Sequence, residues 1–323
     1  MNTEVRPVDR LMAMYNGAMA LFWAALFPGM FPLHVWPLAL IAAHAGAACI
    51  PLLIRRLPER PALLTRLFRE GYPLLWLGAL WVELDPAIFF AHTTSFDSAI
   101  MALDIAVFGV HLDGTWMPAM PQVWFSELMH FAYWAYLPLI FVPPIVMAIR
   151  KRGDVYADIT FRLMTAYVIC YAIYLLFPTI GPHVYGVRYA GGPLTEGFFY
   201  GLVRSAHETG DVVGAAFPSS HVVGAVTIAW IGWRWFSPIV ATLMSIEAFG
   251  VVLSTVYTQN HYAVDSIAGV VTALAIQRWA VPVVARMLAA RPSRDGSHRP
   301  WPAIPPLASV PRPASVQRSG GGS

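Results

Sequence analysis

Pro218-Ser219-Ser220-His221-Val222-Val223-Gly224-Ala225-Val226-Thr227-Ile228-Ala229-Trp230-Ile231-Gly232 begins with turn and cap residues and then runs apolar, without a charge until Arg234. A lipid crossing needs roughly 20 apolar residues. This run falls short because its outer end is polar. On either side of it stand fuller ones, 159–178 and 263–285, with a second shorter stretch at 238–256. Upstream, 13–33, 36–54, 71–90 and 121–149 meet the length standard. The pattern predicts an all-α integral membrane protein of about eight transmembrane helices.

The composition agrees: 57% of the residues are hydrophobic and 12% charged, which in a water-soluble domain would leave too much apolar surface wet. The net charge of +3 sits almost wholly in short loops between apolar runs. Nucleic acid is therefore not an expected partner, and the membrane is. Cys49 and Cys170 fall in different apolar stretches, read as buried thiols without redox meaning. Arg6 and Arg10 before the first apolar run resemble a signal peptide, but seven more runs follow, so an uncleaved helix is expected.

Placing the N-terminus in the cytoplasm puts 19 of the 21 basic residues on one side and leaves Arg188 and Arg204 on the other. The positive-inside rule then predicts a multi-pass protein with both termini cytoplasmic and the segments around His221 and His261 facing the periplasm, exterior or lumen. Residues 1–70 form two additional helices with a basic loop. A membrane domain spans 71–290, its helical core lying within 71–285. Segment 91–120, where Asp97, Asp104 and Asp113 alternate with Ile100, Leu103, Val107 and Phe108, suits an amphipathic helix along the outer interface. The tail 291–323, rich in Pro, Ser and Arg, is expected to be disordered.

Two outer segments carry the chemistry. In Phe217-Pro218-Ser219-Ser220-His221, Pro218 suits a first helical turn and Ser219 and Ser220 can cap it. The free N–H groups there form a natural phosphate site, with His221 one step inside. In Asn260-His261-Tyr262-Ala263-Val264-Asp265, His261 and Asp265 are four apart, close enough on a helix for a carboxylate to fix the imidazole tautomer and free its other nitrogen as a nucleophile. Ser266 and Gly269 leave room for a close helix neighbour. Read alone, each segment is equally a capped helix or a structural hydrogen bond. Together, at one membrane face, they point to phosphoryl transfer on a lipid phosphate or phospholipid donor, with one imidazole attacking phosphorus and the other protonating the leaving oxygen. Glu127 and His130, three apart, are read as a structural pair, and Trp81, Trp116, Trp124, Tyr133 and Trp134 as an interfacial belt. Glu83, Asp85 and His44 have no nameable partner.

Pro218-Ser219-Ser220-His221 and Ser254-Thr255 with His261 and Asp265 resemble the second and third signature motifs of the type 2 phosphatidic acid phosphatase superfamily, Pro-Ser-Gly-His and Ser-Arg, five residues, His, three residues, Asp. Ser220 replaces the glycine and Thr255 the phosphate-binding arginine. The first motif, Lys, six residues, Arg-Pro, is missing. Those departures, with Phe177-Pro178-Thr179-Ile180-Gly181-Pro182 and Thr258-Gln259-Asn260-His261, look similar to the inositol phosphorylceramide and sphingomyelin synthase branch. The resemblance implies a six-helix bundle in which His261 forms a phosphohistidine, Asp265 orients it and His221 acts as general acid, with no metal or cofactor. Positive charge for the transferring group falls to Arg188, which shares a loop with His183, or to Arg204. The acceptor is water in a phosphatase and a lipid hydroxyl in a synthase, the latter favoured by the looser motifs. A transporter, or zinc held by His221, His261 and Asp265, is the reading from another class; the spans lack a Gly/Pro-interrupted pair in matching halves, and the spacing follows no familiar zinc pattern.

Overall fold

The computed structural model describes residues 5–54, 56, 62–185, 189, 191–210 and 212–289. Fourteen α-helices run in order: α1 (Pro7–Met30), α2 (Pro37–Ala48), α3 (Ile50–Ile54), α4 (Leu63–Ala91), α5 (Asp97–Phe108), α6 (Leu112–Ala119), α7 (Val123–Ile149), α8 (Gly153–Leu176), α9 (Pro182–Tyr185), α10 (Phe198–Gly210), α11 (Ser220–Trp235), α12 (Pro238–Tyr257), α13 (Ala263–Ala275) and α14 (Val281–Leu288). A π-helical turn, Ile276–Ala280, joins α13 to α14. Among the described residues the only β-type pairing is a single parallel bridge between Thr179 and Ala215.

Among the described residues seven helical segments are long and apolar enough to cross a membrane, α1, α2 with α3, α4, α7, α8, α12, and α13 with α14, or eight if the bent pair α5 and α6 is one span. At 16 residues, α11 is the short one, as its polar mouth predicted. It spans about 24 Å at 1.5 Å per residue. Helix α8 lies deepest, with 67% of its apolar window inside the protein. It packs against α1, α4, α7 and α11 around Phe161, Tyr171, Ile140, Leu84 and Ile228.

The basic residues gather where α1, α4 and α8 begin and α7, α11 and α14 end. Arg6 bonds Asp9 at 2.7 Å and pairs with Glu70, Arg10 donates to the Leu288 carbonyl, and Arg66 donates to the Ala148 carbonyl. Arg162 pairs with Asp158 at 2.9 Å, which also accepts from the Trp235 indole. His221 and His261 lie at the opposite end, where α11 and α13 begin.

Three expectations change in the structure. Segment 91–120 forms two helices bent by 52°, and its buried stripe is Asp97, Ile100 and Asp104, while Leu103 and Val107 are exposed. The carboxylates face inward because loop N–H groups need acceptors there. Asp97 accepts from the Ile180 and Gly181 amides, both at 2.8 Å, and Asp104 from the Val264 amide at 3.0 Å. Cys49 is exposed at the α2–α3 bend, whereas Cys170 is buried. The stretch at His183, read as part of a loop, forms α9, and α10 follows before α11. The tail from 291 lies outside the described residues.

The two added helices are held to α4 by polar groups inside the bundle. His44 bonds Asn16 through Nδ1 at 2.8 Å and Glu83 through Nε2 at 2.6 Å, and the Trp23 indole also donates to Glu83. Asp85 accepts from the Val213 amide. His44, Glu83 and Asp85 thus acquire partners that no local spacing reveals.

Candidate active site

The chain enters α11 through a cis Phe217–Pro218 bond. Pro218 stands before the cap rather than in the first turn; its carbonyl accepts from the Tyr174 hydroxyl at 2.7 Å. Ser219 is the N-cap, its hydroxyl accepting from the Val222 amide. Ser220 and His221 are then the first two helical residues, so the capped helix start is present with His221 in its first turn. The approach is braced by the Thr179 bridge: the Thr179 amide donates to Gly214 at 3.0 Å and the Ala216 amide to Thr179 at 2.8 Å. Gly181 is needed beside it. Its φ is +97°, and a Cβ there would stand 2.9 Å from the Ala216 Cβ.

The second segment is a turn rather than a continuous helix. The Thr255 carbonyl accepts from the amides of both Asn260 and His261 at 3.1 Å, and α13 begins only at Ala263. Asp265 is therefore an N-terminal capping residue, accepting from the Tyr262 amide at 2.9 Å through Oδ2. That same oxygen is 3.5 Å from His261 Nδ1. His261 and Asp265 are paired, as expected, across a cap instead of along a helix face. Thr255, where the motif arginine was missed, is buried and bonds Ser266 at 2.8 Å.

Two features join the segments. The Ser219 amide donates to the Asp265 carbonyl at 3.1 Å. Gly269 lets α13 touch α11, since a Cβ there would lie 2.9 Å from the Ser219 carbonyl, which bears out the small-residue reading. As a result the His221 and His261 rings stand 6.0 Å apart between centroids at 64°, an edge contact that brings both imidazoles to one point. His261 is buried and His221 half-buried, and burial pushes the His261 imidazole down to about 4. At neutral pH its ring therefore carries a lone pair. His221 Nδ1, His261 Nδ1 and Asp265 Oδ1 are buried without a hydrogen-bond partner.

Two cavities meet nearby. One of about 370 Å³ is walled by Leu77, Trp81, Leu137 and Phe141 and floored by Ser220 and His221. The other, about 400 Å³, is lined by His183, Arg204, His207, Thr258 and Gln259. Val203 and His207 border both. Arg204 reaches the second cavity but is largely exposed and pairs with Glu208 at 2.9 Å. Arg188 lies outside the described residues.

Sequence reasoning missed Tyr133 and His207. The Tyr133 hydroxyl lies 3.2 Å from both His221 Nε2 and His207 Nε2, so it belongs to the site rather than to a belt. Helix α10, which carries His207, docks through Glu127, whose carboxylate accepts from the Phe199 and Tyr200 amides. Glu127 and His130 do not bond one another as an intrahelical pair: His130 bonds the Ser126 carbonyl and lines the polar cavity.

Fold and site together define a polytopic α-helical membrane protein with two histidines and an aspartate gathered at one end of its bundle. The family model described as PAP2 superfamily matches residues 98–279, and the chain belongs to that superfamily, whose members are generally lipid phosphatases and phosphotransferases. The match runs from α5 into the π-helical turn, leaving α1–α4 outside it. No curated protein and no solved structure matches the chain.

Proposed function

We propose that the protein is a phosphotransferase acting on lipids at the non-cytoplasmic face, moving a phospho-headgroup from a phospholipid donor to a lipid hydroxyl in the manner of inositol phosphorylceramide synthases. The carrying observation is the pair of imidazoles in edge contact, their centroids 6.0 Å apart, the buried one beside a carboxylate. In the first step a ring nitrogen of His261 attacks phosphorus, the bond to the donor's leaving oxygen breaks, and His221 hands that oxygen a proton. Asp265 balances the positive charge that grows on His261. In the second, the acceptor hydroxyl attacks the phosphohistidine, gives its proton back to His221, and frees His261. The gathering of arginines at the other end of the bundle supports the outward orientation.

Ser219, Ser220 and the α11 N-terminus, with Arg188, Arg204 and His183, are the groups offered to the phosphate oxygens. The apolar cavity opening onto His221 suits acyl chains, and the adjoining polar one suits a headgroup or acceptor. Water as acceptor gives the second reading, a lipid phosphatase for phosphatidic acid or polyprenyl phosphate; the polar cavity's bulk-facing residues, Arg204 and Glu208, favour it. Purified protein incubated with phosphorus-labelled phospholipid and lipid phosphate, with and without ceramide or diacylglycerol, decides between them. The expected product is a new labelled lipid only when acceptor is present. Label released as free phosphate regardless of acceptor would overturn the transferase in favour of the phosphatase, and labelled substrate left chemically unchanged would overturn both.

A further inference from the structure

Asp104, His111 and Asp113 converge behind the α13 cap, outside the histidine pair. Each offers one ligand atom, and these atoms lie within 4.8 Å of one another. Asp104 is fully buried and Asp113 nearly so. Asp104 Oδ2, Asp113 Oδ1 and His111 Nδ1 have no hydrogen-bond partner, and His111 Nδ1 lies 3.8 Å from Asp104 Oδ2. Two buried carboxylates aimed at one point are costly unless a cation stands there. Atoms around one zinc ion at 2.0–2.2 Å are about 3–4.4 Å apart. His111, whose side chain is 41% exposed, has room on its solvent side to adjust toward the carboxylates and leaves a path for entry.

We infer that these three residues form a binding site for a divalent transition-metal ion of the zinc type. One imidazole and two carboxylates suit zinc better than calcium or magnesium, which prefer all-oxygen shells. Water from the His111 side completes the coordination. Asp104 explains what the ion does: its second oxygen, Oδ1, accepts from the Val264 amide at 3.0 Å, next to Asp265. An ion on Oδ2 fixes the carboxylate that holds the start of α13, and clips α5 and α6 to it. Its role is structural, and it takes no part in the phosphoryl transfer proposed above.

The test uses the full-length protein in detergent, stripped with chelator and titrated separately with zinc, manganese, calcium and magnesium chloride. Expected are one bound zinc per chain by elemental analysis and a melting temperature raised by several degrees with zinc. H111Q with D113N is expected to weaken zinc more than about 10-fold while melting, metal-free, no lower than the wild type, since neither side chain's ligand atom has a bond to lose. H261A is expected to keep its zinc. Zinc retained at full affinity by the H111Q/D113N protein, zinc lost from H261A, or no zinc on the wild type would each overturn the site.

Discussion

Among the described residues stand two buried histidine–carboxylate pairs, and they are built differently. In the added helices, His44 has both ring nitrogens bonded, at 2.8 Å to Asn16 and 2.6 Å to Glu83, and Glu83 is shared with the Trp23 indole. At the other pair, His261 Nδ1 stays 3.5 Å from Asp265 and Asp265 Oδ1 has no hydrogen-bond partner. A buried polar group left unmatched costs about 1–3 kcal/mol. The first pair avoids that cost and joins α2 to α4. The second incurs it, as expected of groups whose full set of bonds forms only when a substrate arrives.

Substitution should separate the two pairs most sharply. H261A is expected to lower turnover at least about 10⁴-fold and to abolish any acid-labile labelled enzyme. H44A should leave turnover per folded molecule near wild type while lowering the melting temperature, because Glu83 loses a buried partner at about 1–3 kcal/mol. Radiolabel transfer and thermal unfolding in detergent measure both. Turnover surviving in H261A would remove the nucleophile, and equal activity losses in the two variants would erase the distinction.

A smaller effect is expected in the pH profile. Protonation removes the His261 lone pair, so kcat/KM should fall as pH drops through the value of the free enzyme. With that value near 4, protonation of His261 by itself should cost less than about twofold between pH 7 and pH 5.5. An unperturbed imidazole at 6.5 would give about a tenfold loss over the same interval. A phosphodiester donor, whose own phosphate does not titrate there, makes the measurement specific. A half-maximal rate near pH 6.5 would mean that the ring is far wetter than its surroundings imply.

How much of this was legible in sequence depended on whether the information is local. Length and polarity placed the spans, including the shortness of α11, and cap chemistry placed His221 at a helix start. The turn at 260–262 was read as helix because His261 and Asp265 have helical spacing; nothing nearby shows that Asp265 serves an amide three residues back. Tyr133 reaches His221 across 88 positions and Glu83 reaches His44 across 39. Such contacts follow from packing angles between helices, which a one-dimensional pattern does not carry. The inverted face of α5 escaped for a related reason. Its aspartates look solvated until the loop amides they receive are in place.

A modest effect is expected at Tyr133, the link between the reacting pair and the cavities. Its hydroxyl stands 3.2 Å from His221 and from His207, a chain through which a proton delivered to the leaving oxygen can be replaced from the polar cavity. Y133F keeps the ring beside His221, whose centroid lies 4.9 Å away, and removes only the hydroxyl. One hydrogen bond of ordinary strength, about 0.5–1.5 kcal/mol, corresponds to a loss of roughly two- to tenfold. That loss should fall on kcat with little change in KM, because the hydroxyl acts on His221 and not on the bound lipid. H207Q should lower kcat by a similar factor, and Y133F combined with H207Q by no more than either alone, since both break one chain. Losses that multiply in the double variant would show the two residues acting separately, and His221 would then draw its protons by another route.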